Sequence, residues 1–499
     1  MATDITSSFN GEFRTGILTG NRSNSIATIL LGCIIIAATI VGILLSFLFD
    51  KAVFEAPGLI NTFSVVLFFG FCLFALASTR MYFFLLPFVF IAFPAAVNDF
   101  MPSVYIGSPD ELGAAPFPLI THIDLFLLLG LIKWSFNNKV MVRSNALLTL
   151  IILFFLLSFV TNISFTDLNK NLILISGLFP IRYILLILIL LSNYDIREYE
   201  KPIIYGLVSS VFFLLLESLI NTRVSGTEQL TSGTLGANTF ANTVTGLLLF
   251  FVFLKSSKFR ISLTILVPLV VSCCVIIILT ETRIAVVAGL LSYLFVKSKR
   301  YKPITSFLIV CFLTGSFLLI YNLVDVPERY SFQSVASRIH FNYFSWNPLE
   351  MFSIDLATET RTIHTRFLLF GSAINMFFEN FFFGIGYGAF NLEKGDYGFN
   401  IRVLIDAHNG YLNTLAQMGI FSIPFLYFAY FYPYTLYKRI REHSYLKLLF
   451  IINITLAIAD LSNAGIYKYS VFALLAFNSI VLMTLSRTSR GHGSESQAH

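Results

Sequence analysis

The segment Asp406-Ala407-His408-Asn409-Gly410-Tyr411 sets a histidine close to an aspartate just before a long apolar run. A histidine at a boundary between water and an apolar phase can act as general base toward a hydroxyl, because its unperturbed pKa lies near neutrality. Asp406 would then orient the ring or stabilise its charge. The commoner role of such residues is plainer: a polar boundary, with His408 and Asn409 capping the next helix. Arginines provide a second kind of chemistry. In Thr280-Glu281-Thr282-Arg283 the turn is so tight that Arg283 begins the following helix. Its planar fork of donors suits phosphate oxygens, and a helix start adds partial positive charge at the same place. Arg223-Val224-Ser225-Gly226, followed by Gly233-Thr234-Leu235-Gly236-Ala237-Asn238, is another polar stretch of this type. Taken singly, the ordinary role of each arginine is to snorkel to an interface.

The elements that must position these residues are apolar helices. The chain is 56% hydrophobic and only 12% charged, with a mean hydropathy of +0.80. A water-facing surface brings the charged fraction of a soluble chain to about 25%. Runs long enough to satisfy every backbone amide inside lipid occur near 26–49, 59–78, 82–98, 118–134, 145–163, 172–192 and 202–220. Further runs lie near 239–254, 261–280, 283–296, 303–321, 415–434, 445–459 and 469–485. The first is too long for a signal-peptide core and reads as a retained span. Basic residues alternate with these runs as the positive-inside rule requires: Arg80, the Lys133–Arg143 group, Arg197 and Lys201, the Lys255–Arg260 group, the Lys297–Lys302 group, and the Lys438–Lys447 group share one side. The fold expected is all-α, a polytopic helical membrane protein of about 12–14 transmembrane helices with both ends inside. The net charge of +6 is thus an orientation signal and not a nucleic-acid footprint. All five cysteines fall in apolar runs, so neither a disulfide nor a metal site is expected.

One extracytoplasmic loop, 321–411, is long for a connection without a function of its own. It holds Arg366, Asp406 and His408, together with the glycine run Gly384-Ile385-Gly386-Tyr387-Gly388. That run permits close backbone approach, and as a turn after a helix it needs no other explanation. Within the loop, residues 367–383 are apolar enough to be a span, but a span there would invert every charge assignment downstream. The segment therefore reads as an amphipathic helix at the outer interface, its aromatic face in lipid. Arg182 lies in the middle of LILISGLFPIRYILLILILL, near the expected bilayer centre. Its insertion there costs about 2.5–3.5 kcal/mol, so it should face the bundle interior with Asp124, Glu217 or Asp460 as partner, Pro180 kinking the helix beside it. The 55 phenylalanines are expected to be mainly lipid-facing.

Four stretches, in order, resemble the motifs of the O-antigen ligase/polymerase family. Arg223 to Asn238 is similar to its arginine–glycine…glycine–x–asparagine loop, and Thr280-Glu281-Thr282-Arg283-Ile284-Ala285 to its threonine-x-serine-arginine helix start. Arg366-Phe367 through Gly384-Ile385-Gly386-Tyr387-Gly388-Ala389-Phe390 looks like its arginine–helix–glycine segment. His408-Asn409-Gly410-Tyr411-Leu412, with Gln417-Met418-Gly419-Ile420 behind it, looks like its histidine–asparagine–x–tyrosine–leucine motif and trailing glycine. The resemblance spans roughly 220–430. Position 282 is threonine where the family often has serine, and Ser422 stands where ligases carry Gly, Thr or Tyr.

The resemblance implies a glycosyltransferase needing neither metal nor cofactor. It would move glycan from an undecaprenyl-diphosphate carrier to an acceptor sugar hydroxyl on the outer face of a bacterial inner membrane, with inversion. Carried over, His408 is the base, and Arg223, Arg283 and Arg366 bind the diphosphate. Asp406, Asn409, Tyr411, Asn238 and Arg182 complete the expected substrate-binding set. Fourteen spans suit a polymerase of O-antigen, capsule or exopolysaccharide repeats, working with a chain-length regulator. The alternatives are the ligase that passes polymer to lipid A–core, and a transporter or flippase of lipid-linked glycans. The expected organisation is an N-terminal membrane part (1–220), a core including loop 321–411 (221–435), and C-terminal helices with a tail (436–499).

Overall fold

The computed structural model describes residues 57–92, 103–106, 115–135, 146–163, 168–225, 237–257, 259, 261–280, 282–297, 363–398, 407–440 and 444–495. The expected spans near 26–49 and 303–321 lie outside these residues, as do residues 321–362 and 399–406 of the long loop. The architecture is that of a polytopic helical membrane protein. Five described helices are long and apolar enough to cross a membrane, and seven shorter apolar helices accompany them. In chain order come α1 (Pro57–Ala77), α2 (Thr79–Ile91), α3 (His122–Ser135), α4 (Ala146–Asn162), α5 (Leu168–Gly177), α6 (Phe179–Asn193) and α7 (Glu200–Ser225). Then follow α8 (Ala237–Ser256), α9 (Leu263–Leu279), α10 (Arg283–Lys297), α11 (Ile363–Glu379) and the single turn α12 (Phe390–Glu393). The last are α13 (Gly410–Met418), α14 (Ser422–Leu426), α15 (Tyr432–Tyr437), α16 (Phe450–Ala459) and α17 (Tyr469–Glu495).

Two groupings matter for function. Helices α8, α10 and α16 pack on one another, while α11 lies along α13. The run from Gly410 to Tyr437 changes its winding repeatedly: α13, a 3₁₀ turn at Gly419–Phe421, α14, a π-helical turn at Tyr427–Phe431, and α15. Pro433 lacks the N–H that would reach the Ala429 carbonyl. Asn453 Nδ2 supplies that bond from the neighbouring α16 at 2.6 Å, so the buried carbonyl keeps a partner.

The structure departs from the sequence reading in three places and refines it in a fourth. Helix α2 ends at Ile91, well short of residue 98. The connection that follows contains the antiparallel strands β1 (Ser103–Ile106) and β2 (Ala115–Pro118), in register Ser103 to Pro118, where hydropathy suggested only a loop. The run read as one span near 172–192 is one membrane-length apolar stretch, Lys170–Asn193, in which the helix breaks for a single residue at Leu178; Pro180 follows in the first turn of α6, where its missing N–H is harmless, and Arg182 sits midway along the stretch. Among the described residues, finally, phenylalanines are more often core than filler. Phe83, Phe88, Phe90, Phe126, Phe155, Phe240, Phe250 and Phe251 are all fully buried. Their rings pack edge-on or stacked between helices, as Phe88 on Phe213 at 4.8 Å and Phe425 on Phe472 at 5.3 Å, so the bundle uses them for interhelical contact.

Candidate functional site

The turn before α13 is built by local backbone demands. Ala407 is buried, and His408 takes a left-handed φ of 50°, which non-glycine residues adopt at a steric cost. Asn409 then returns to extended backbone and caps α13: its Oδ1 accepts from Tyr411 N and Leu412 N, both at 3.0 Å. Its Nδ2 donates to the Leu461 carbonyl at 2.9 Å. Gly410 N donates to the carbonyls of Asp460 (2.8 Å) and Asn463 (2.7 Å). A Cβ on residue 410 would fall 2.8 Å from Asp460 Oδ2, so only glycine fits. The Tyr411 hydroxyl reaches the Ala457 carbonyl at 2.8 Å. These bonds hold the histidine turn against the end of α16. Both ends of the Asn409 amide and the Tyr411 hydroxyl are engaged with backbone, which makes positioning their observed work.

At the centre of the clamp is Asp460, in the turn after α16. Its carboxylate is buried and accepts from Tyr430 Oη (2.5 Å), Gly465 N and Ile466 N (both 2.9 Å). Burial pushes the carboxyl up to about 6, while those three hydrogen bonds pull in the opposite direction. Sequence reasoning treated Asp460 only as a possible partner of Arg182. The signal for its real place was the polar string Asp460-Leu461-Ser462-Asn463, which ends an apolar run on the same side as His408.

Asn463 carries the network onward. Its Nδ2 donates to Thr239 Oγ1 (3.1 Å) in the first turn of α8. The neighbouring exposed Asn238 accepts from Thr282 Oγ1 (3.2 Å), the residue immediately before Arg283 and α10. Arg283 is thus the first residue of a helix whose start is tied to that of α8. Arg223 falls in the last turn of α7, on the chain leading to α8. The side chains of Arg223 and Arg283, and the whole of Asp406, lie outside the described residues.

Arg366 approaches from the loop. Ile420 N donates to the Phe381 carbonyl at 2.8 Å, so the end of α11 meets the end of α13. Leu368 and Leu369 share one buried cluster with Ala407, and α11 packs along the length of α13. The two helices therefore run parallel, which puts the exposed Arg366, in the first turn of α11, at the same end as His408. The starts of α8, α10, α11 and α13 all open on this end of the bundle. Helix starts carry partial positive charge, which favours an anion; the first amides of α13 are already taken by Asn409 and the end of α16, so that helix contributes its dipole alone.

The glycine run has a structural use here. Ile385 N and Gly386 N donate to the carbonyls of Ala416 and Gln417, both at 3.1 Å, and Gly388 N donates to Gln417 Oε1 at 2.5 Å. Gly384 and Gly419 both take positive φ and touch backbone that a Cβ would strike at 2.3–2.4 Å. The run thus locks α11 to α13.

Arg182 belongs to a different cluster. It donates to the Leu119 carbonyl, and its Nη2 lies 3.5 Å from Asp124 Oδ2, which settles its acidic partner among the three considered. Asp124 also accepts from Thr121 N (2.8 Å) and Thr121 Oγ1 (3.0 Å), and that hydroxyl meets Tyr183 Oη at 2.6 Å.

Comparison with known proteins adds the family. A search of curated proteins gave no match. Residues 267–427 match the family model described as O-Antigen ligase. The matched stretch runs from within α9, through Thr282 and Arg283, to Arg366, His408 and the π-helical turn. Over that stretch the chain is similar to the O-antigen ligase family, and its helical membrane architecture agrees with the similarity.

Proposed function

We propose that the chain is a polymerase that transfers glycan from an undecaprenyl-diphosphate-linked donor to the hydroxyl of an acceptor sugar, at the periplasmic face of the inner membrane. The observation that supports this reading is the clamped His408 turn, tied through Asp460 and Asn463 to the start of α8 and thence to the start of α10, whose first residue is Arg283, with Arg366 in the first turn of α11. In the reaction, the acceptor oxygen attacks the anomeric carbon from the side opposite the diphosphate. His408 takes the hydroxyl proton as the new C–O bond forms. The old C–O bond breaks, and its electron pair leaves on the diphosphate. The arginines and helix starts meet that charge, the task a divalent metal performs in other phosphate chemistry. One displacement inverts the anomeric configuration. Asp460, Asn409 and Tyr411 act through position, by holding the histidine turn; Asn238 sets the spacing between α8 and α10.

The description of the matched family favours a second reading, the ligase that transfers finished polymer to lipid A–core. Both readings share donor, base and charge sink. His408→Ala separates them when the cellular glycan is run as a ladder. Loss of a polymerase leaves single-repeat lipopolysaccharide, and loss of a ligase leaves bare core. An unchanged ladder refutes both.

A further inference from the structure

We infer that the aromatic end of α11, with the turn that follows, is a wedge dipped into the hydrocarbon of the leaflet on the His408 side, and that its partner is the acyl chains of that leaflet. The helix has two unlike faces. Leu369, Ala373 and Met376 are fully buried against α13 and the glycine run, whereas Phe378, Phe382 and Phe381 are 70%, 65% and 39% exposed. Large rings left this open would be a liability facing water.

Their height in the bundle identifies what covers them. The Phe383 carbonyl accepts from Ser158 Oγ of α4 at 2.9 Å, and the Phe383 ring meets Phe421 at 5.4 Å. Phe421 in turn stacks on Phe154 of α4 at 3.6 Å. The Gly410–Tyr437 run is long and apolar enough to cross a membrane, and α4 is a shorter apolar helix beside it. At this level they show the outward side chains of spans: Val160 is 66% and Ile423 60% exposed. The phenylalanine patch is continuous with that lipid-facing surface.

Depth follows from the helical rise. Phe421 stands seventeen residues from Lys438, roughly 25 Å at 1.5 Å per residue. A hydrocarbon core is about 30 Å thick, so with Lys438 at its far edge the wedge lies about 5 Å below the near edge. Interfacial helices commonly bury to such a depth. Because α11 runs parallel to α13, only its end reaches this depth, while Arg366 stays at the polar end. The non-helical stretch behind the wedge is compatible with lipid because its amides are bonded within the protein. Gly384 N donates to Asn380 O (2.8 Å), and Ile385, Gly386 and Gly388 donate to residues of α13. Since the wedge is latched to α13, lipid contact sets the height of the His408 turn relative to the leaflet.

Depth-dependent fluorescence quenching tests this. The two native tryptophans are replaced (W134F and W346F), and single tryptophans are placed at exposed positions by Phe378→Trp or Phe382→Trp. Each variant is placed in phosphatidylcholine vesicles brominated near the head or near the end of the acyl chain. Asp396→Trp, at an exposed charged position just beyond α12, serves as the polar-surface control. The expected result is at least twofold quenching of both wedge positions by the shallow bromines, weaker quenching by the deep ones, and protection from iodide. The control should be quenched by iodide alone. Quenching of both wedge positions by iodide, or by neither agent, overturns the proposal. If one variant loses wild-type helix content by circular dichroism, the other decides.

Discussion

Removing the Asp460 carboxylate should collapse the turn that carries His408 without touching the histidine itself. In Asp460→Ala, two amides (Gly465, Ile466) and the Tyr430 hydroxyl lose their acceptor inside a site closed to water. A stranded buried donor costs about 1–3 kcal/mol, and the hydroxyl can rotate to relieve part of its share. The expected loss is therefore about 3–5 kcal/mol, near the limit for one substitution. Asp460→Asn keeps one acceptor oxygen, but one of the two backbone amides then faces the new NH2, so its loss should be about 1–3 kcal/mol. The assay is thermal unfolding of the purified protein beside the glycan ladder in cells. The order wild type, Asn, Ala should hold in both. The carboxyl also has a signature in pH. Its folded value of about 6 exceeds its ordinary 3.8, so the folded state binds more protons between those values. This group's contribution to stability is then fully present below pH 3.8 and is lost as pH rises through about 6. Asp460→Asn should flatten that part of the profile. An Asp460→Ala protein that melts like wild type and gives the wild-type glycan ladder would refute the clamp.

Asn409→Ala removes a helix cap and the tie to Leu461, and should destabilise by about 1 kcal/mol while lowering turnover far more than donor binding; Asn409→Ser should recover the cap but not the tie. Kinetics with a lipid-diphosphate donor distinguish the two terms. Asp124→Leu leaves Arg182 without its acid and should cost about 3 kcal/mol, whereas Asp124→Leu with Arg182→Met should restore most of it, read as recovery of the melting temperature. Gly419→Ala demands a strained φ and puts a methyl 2.4 Å from the Phe381 carbonyl. It should cost about 1–3 kcal/mol and raise proteolysis within the glycine run before any change at α8 or α16. Uniform proteolysis along the chain would show that the run is no separate latch.

The membrane class, most helices and the side on which polar stretches gather were legible in hydropathy and charge, because lipid penalises every unpaired backbone group and so marks a span residue by residue. The histidine and arginine stretches were visible as motifs for a similar reason: caps, tight turns and glycine contacts are local, and local chemistry is written in neighbouring residues. Asp460 shows where this stops. It lies 52 positions beyond His408, and the polar string around it marks only a polar end of an apolar run, not that its carbonyl holds another segment's turn. Arg182 had three candidate acids at similar hydropathic depth, and only packing brought Asp124 to it. The phenylalanines were misjudged because composition cannot tell a ring in lipid from a ring between helices, since both environments are apolar. The sequence by itself thus determined solvent, helices and the inventory of reactive groups. Tertiary structure alone decided which of them meet, because a contact depends on how rigid helices pack, and packing is a property of pairs that no single segment carries.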